Sequence, residues 1–210
     1  MEEEILEILQ SEVEFQCKCV LIAAGLLSEQ FAPGTADEDF DAEIVWFALQ
    51  SVLIASANLS KLFWGSRGKK EAERLDLRLS LSVADDSPLR DPDLRNDFEH
   101  FDTRVEDWFR DSESHNFAGR NIGRLSAITG IDVKDRFQWF DDSTGIVTFW
   151  THSVALPLVL AEVQRIHPLA RDAVRGPAPP PISQMRCGTC GNLTPQCTCL
   201  DSQGQPIRWE

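Results

Sequence analysis

The chain has 210 residues, 42% hydrophobic and 26% charged, a balance that fits one sizeable soluble domain plus an appendage. The formal net charge is −14, and residues 1–45 hold twelve acidic side chains against the single Lys18, which argues against sequence-blind binding to nucleic acid or anionic membrane. No apolar run approaches the ~18 residues of a bilayer span, and the acidic start lacks the basic region of a signal peptide. A cytoplasmic protein is therefore expected, with its six cysteines present as thiols or metal ligands rather than disulfides.

Glu2–Leu27 reads as a first helix, and Pro33–Gly34 breaks the chain after it. A second, largely apolar helix is expected from Asp39 to about Trp64, ended by the stretch GSRGKK. Glu71–Val83 is predicted helical, although LDLRLSLSV alternates like a strand. Lys61, Arg67, Lys69, Lys70, Arg74 and Arg78 form a basic run across this region, read either as a local groove or as a solvated face.

After the turn DDSPLRDP, Asp91 is placed to cap a helix with Pro92 at its first position, running to about Arg110. Leu94, Phe98, Phe101, Val105 and Trp108 recur at helical spacing and form its core stripe. At about 100° per residue, Asn96, His100 and Thr103 share the opposite face, flanked by Arg95 and Glu99. DSESHNFAGRNIG then reads as a polar loop. Residues 136–150 carry aromatic and β-branched runs on both sides of a Gly-containing turn, which predicts a hairpin. Ser153 is expected to cap a last helix with Pro157 in its first turn and Pro168 ending or kinking it.

Three regions follow: a helical domain over 1–175, a Pro-rich linker over 176–183 and a Cys-rich tail over 184–210. The tail places Cys187, Cys190, Cys197 and Cys199 within CGTCGNLTPQCTC. Four thiolates at that spacing suit a closed, structural zinc site whose binding energy stands in for a core. The competing reading is a flexible reduced tail. Cys17 and Cys19 are read as ordinary thiols of the first helix. His115 is placed in an exposed loop, His152 and His167 near helix ends, and Asp141–Asp142 in a turn. There is no P-loop, GxGxxG, HExxH or Ser-centred elbow.

The polar face of the Arg95–His100 helix has a definite chemistry. An imidazole accepts and donates protons near neutral pH. A guanidinium offers a fork of donors matched to phosphate oxygens. An Asn amide can orient the imidazole or the scissile phosphate. Together they suit metal-free attack of an RNA 2′-OH on its own phosphate.

The segment Arg95–Asn96–x₃–His100, with two long helices and a short one before it and a last helix after it, resembles the R-x₄₋₆-H motif of the HEPN superfamily. The resemblance covers roughly residues 1–175. It implies a mainly α, antiparallel helical bundle, here with the 136–150 hairpin as an insertion and the zinc knuckle as an addition. It implies a homodimer in which two motif helices face each other and form one composite endoribonuclease site, with no catalytic cofactor. Arg95 and His100 would be the catalytic pair and Asn96 the supporting residue. The group's roles imply toxin–antitoxin or antiphage defence, with an antitoxin or defence protein as partner and no membrane. The alternative is a non-catalytic HEPN-like module that binds a protein or nucleotide.

Overall fold

The computed structural model describes residues 1–34, 36–90, 100–124, 130–132, 135–150, 152–176 and 192. The chain divides into two units, Met1–Val174 and Arg175–Glu210. The first is mainly helical with a small mixed sheet. Of the second, only residues 175, 176 and 192 are described, so Cys187, Cys190, Cys197 and Cys199 lie outside the described residues.

Helix α1 spans Glu3–Gln30 and α2 spans Ala42–Trp64. Each is long because apolar residues recur on one face without an interior Pro: Val13, Cys17 and Val20 on α1, Val45, Leu49, Val52, Leu59 and Phe63 on α2, all fully buried. Asp41 starts α2, its Oδ1 accepting from the backbone N–H of Glu43 and Ile44 at 2.8 and 3.2 Å. Asn58 of α2 donates to Gln16 of α1 at 3.3 Å, while Asp41 N–H reaches Gln30 Oε1 at 2.7 Å. The two helices therefore run antiparallel. Among the described residues α2 alone is long and apolar enough to cross a membrane, contrary to the expectation from apolar runs, yet more than half of its apolar window is buried in this core.

Gly65 ends α2 at φ +75, donating to Lys61 O at 2.8 Å. A Cβ there would sit 2.7 Å from Lys70 Cβ and 2.9 Å from the Lys70 backbone nitrogen. Gly65→Ala is expected to destabilise the fold by about 1–2 kcal/mol, from left-handed strain plus that overlap. A thermal melt within the error of wild type would remove this account of the α2 terminus.

The next helix, α3, is shorter than the predicted Glu71–Val83 and covers only Leu75–Ser80. The preceding residues are drawn into turns by Arg78. Its guanidinium is 4% exposed and donates to Phe63 O and Glu71 O, both at 2.8 Å, with Trp64's ring 5.8 Å away. Arg78 thus points inward and Lys70 pairs with Glu73 at 2.6 Å, which breaks up the basic run as a continuous groove.

The next helix among the described residues, α4, covers Phe101–Asp111 and carries Trp108 into the core. The sheet orders its strands β1 (Asn121–Ile122), β2 (Gln138–Asp141), β3 (Ile146–Phe149) and β4 (His152–Ala155), with β1 parallel to β2 and the rest antiparallel. The β2–β3 hairpin falls where the sequence places it, pairing Gln138 with Phe149 and Asp141 with Ile146. Asp141 Oδ1 accepts from the N–H of Ser143 at 3.0 Å, so Asp141–Asp142 is turn chemistry as expected.

Ser153 is not a helix cap. It lies within β4, its hydroxyl 2.9 Å from that of Thr148 across the ladder, and His152 joins the same strand. The last helix, α5, begins at Leu156 and continues through Pro168 to Arg175, so Pro168 does not end it. His167 is consequently inside the helix. Val159, Val163, Ile166 and Ala170 hold α5 on the core strongly enough to accommodate the backbone hydrogen bond that Pro168 removes.

Candidate functional site

His100 is the residue before the first turn of α4, with φ −109 and ψ 35, and it is exposed. The predicted uninterrupted helix through His100 is therefore not what forms: His100 stands at a helix start. Arg95 and Asn96 lie outside the described residues, as do Asp91 and Pro92. Thr103, expected on the same face, is exposed on the first turn.

Phe101 follows His100 and departs from the simple core stripe. One side of its ring packs edge-on against Phe137 and Phe149, at 5.7 and 6.2 Å, yet 42% of the residue stays exposed. That exposed side lines a cleft of about 620 Å³ formed with Ala42, Glu43, Trp46, Phe47 and Gln50 of α2, with Arg120, and with Gln138 of β2. The volume suits a small organic ligand of nucleoside size.

The elements around this cleft are tied together by indole N–H groups that donate to backbone carbonyls. Trp46 Nε1 donates to Arg120 O at 3.0 Å, and Arg120 is held at φ +55, a left-handed conformation that a non-glycine residue adopts only when its surroundings impose it. Central strand β2 is covered on both faces, Trp139 on one side donating from Nε1 to Gly123 O at 2.7 Å. Gln138 and Phe140 occupy the other side, and Gln138 is 6% exposed. Gln138's side-chain amide has no hydrogen-bond partner among the described residues, although it lines the cleft. The same is true of Gln50, and neither Glu43 nor Arg120 has a side-chain ion pair there.

Behind α4 lies a second polar cluster. Asp135, 1% exposed, accepts through Oδ1 from Trp108 Nε1 at 3.1 Å and Ser112 Oγ at 2.5 Å, and through Oδ2 from Ser114 Oγ. Its backbone carbonyl accepts from Ala118 N–H at 2.9 Å. Burial raises the Asp135 carboxyl's pKa, but the hydroxyls of Ser112 and Ser114, the Trp108 indole and nearby His115 outweigh that and hold it below the ordinary range. Both carboxylate oxygens accept from structural donors, so this cluster ties α4 to the chain entering the sheet. His115, exposed as expected, stacks on Phe109 at 4.2 Å.

Cys17 is buried, and burial followed by the Glu14 charge pushes its thiol up to about 12; Cys19 is half-buried. Both fit inert thiols. Among the described residues no group of three or more His, Cys, Asp or Glu is spaced for a metal ion.

The sequence reading missed the cleft. Its one visible signal was Gln138 in RFQWF, a polar amide inside an aromatic strand. Arg120 gave none, because its role follows from a loop conformation set by Trp46, 74 residues away in the chain. No family model matches this chain, and no curated protein or solved structure was found to match it.

Proposed function

We propose that the chain is a metal-independent endoribonuclease of HEPN type, working as a cytoplasmic homodimer. The reading is supported chiefly by His100: an exposed imidazole at a helix start, one residue before a ring that opens into a cleft of unpaired polar groups. In this mechanism one His100 takes the proton from the RNA 2′-OH. The 2′ oxygen then bonds to phosphorus, and the 5′ oxygen leaves with a proton from the second chain's His100. The products are a 2′,3′-cyclic phosphate and a 5′-hydroxyl. Arg95 neutralises the charge developing on the phosphoryl oxygens, and Asn96 orients the imidazole. A two-fold axis close to the motif would bring both copies into one cleft. A role in toxin–antitoxin or antiphage systems, with an antitoxin or defence protein as partner, accompanies this reading.

The test is cleavage of mixed RNA in EDTA by wild type, His100→Ala and Arg95→Ala. Loss in both variants and cyclic phosphate ends support the enzyme. Equal residual cleavage in all three marks a contaminant and refutes it. A second reading, a non-catalytic nucleotide-binding or interaction module, is favoured by one observation: the cleft's polar groups are carried by α2, β2 and Arg120 rather than by the motif.

The four tail cysteines are proposed to hold one structural zinc with no open position for chemistry. Purified protein is expected to contain about one zinc per chain, lost on substituting Cys187 and Cys190, while the melting of the helical unit stays put. Zinc-free wild type purified without chelator would exclude the site.

A further inference from the structure

We infer that the cleft between α2, β2 and Arg120 is a guanine-reading pocket. It does not rest on the cleavage reading, since none of its side chains is in the Arg95–His100 motif.

The argument starts from Gln138. Gln138 is more than nine-tenths buried as a residue, its amide has no hydrogen-bond partner among the described residues, and what it shows to solvent it shows in the cleft. The amide faces a cleft, so a ligand in the cleft is what would complete it.

The other linings define that ligand. Phe47 is 63% exposed, and Phe101, packed on Phe137 and Phe149 along one side, is still 42% exposed; both line the cleft and offer apolar ring surface to a planar heterocycle. Glu43 only accepts hydrogen bonds, Arg120 only donates them, and the Gln50 and Gln138 amides do both. Guanine is the base that matches an acceptor-only and a donor-only partner at once. Its N1–H and N2–H form a donor pair for a carboxylate, and its O6 and N7 form an acceptor pair for a guanidinium fork. Adenine presents an acceptor, N1, where guanine presents a donor. Cytosine and uracil lack the N7 acceptor. The shared chemistry is the guanine base, carried either by a free nucleotide or by an unpaired position in RNA.

The experiment uses the full chain and follows binding by calorimetry and Trp fluorescence. Guanosine and GMP are compared with the adenine, cytosine and uracil equivalents, and an oligoadenylate with the same strand bearing one central G. Guanosine is expected to bind at least ~10-fold tighter than adenosine, and Glu43→Gln to abolish that preference. Phe47→Ala is expected to weaken all bases by ~10-fold. A G-dependent gain in the oligomer assigns the pocket to RNA; a gain seen only with GMP assigns it to a free nucleotide. Equal binding of the four nucleosides, or a guanine preference untouched by Glu43→Gln and Arg120→Gln, overturns the inference. His100→Ala in parallel separates the two proposals: it is expected to keep guanine binding, so loss of cleavage and loss of binding are read independently.

Discussion

Replacing His100 by alanine is expected to lower RNA cleavage in EDTA by at least ~100-fold while leaving the melting temperature within a degree or two of wild type. The separation of the two effects follows from where His100 sits. It is exposed, precedes α4 and makes no side-chain cap bond there, so the fold has little to lose. A structural histidine would show the reverse, with a lowered melt and activity falling only through unfolding. The composite-site proposal adds a stricter arm. At a fixed wild-type concentration, exchange with excess His100→Ala chains is expected to lower cleavage, because each heterodimer holds one imidazole where the reaction uses two. Cleavage unchanged by excess His100→Ala chains would remove the shared site. If His100→Ala cleaves like wild type, the reaction is not run by this imidazole, and the guanine pocket must be judged on binding alone.

The parts of this fold that were legible in the sequence are those set by local periodicity. The α1 and α2 helices announce themselves through Val13, Cys17 and Val20 and through Val45, Leu49 and Val52, because a buried helical face leaves a 3.6-residue imprint. The hairpin is readable for the matching reason: Val147 and Phe149 point inward while Ile146 and Thr148 are more exposed, and Asp141 and Gly145 supply the turn. What escaped was decided by distant partners. The start of α3 depends on Arg78 bonding to Phe63 O, and β4 takes Ser153 because Thr148 waits across the ladder. Parallel pairing of β1 with β2 leaves no mark in two residues of chain. The site divides in the same way. His100 stood out as a chemical type on a patterned segment, whereas the cleft beside Phe101 is assembled from α2, β2 and a loop, and only the fold brings those together.

Asp135 is a buried carboxylate that ties α4 to the chain entering the sheet. Asp135→Ala is expected to lower stability by about 2–3 kcal/mol, which is ~4–12 °C in melting temperature for a unit of this size. Three donors lose their acceptor at once, and two of them, Trp108 Nε1 and Ser112 Oγ, are buried. Asp135→Asn keeps one acceptor oxygen and should fall between alanine and wild type. The pH dependence has a fixed sign. The folded-state pKa is depressed, so the ionised carboxylate stabilises the fold fully above its unfolded value, about pH 4, and this contribution disappears as pH falls through the lower folded value. Wild type should therefore lose stability on acidification below about pH 4 more steeply than Asp135→Asn, and the two melting curves should converge there. The cluster also bears on the guanine pocket. Ala118 donates to Asp135 O at 2.9 Å and its own carbonyl accepts from Phe137 N–H at 2.9 Å, which sets the path of the chain two residues before Arg120. Loosening Asp135 at a temperature where the variant is still folded should thus weaken guanosine binding without touching any group in the cleft. Unchanged binding in a measurably destabilised Asp135→Ala protein would mean that Trp46 alone holds Arg120 in place.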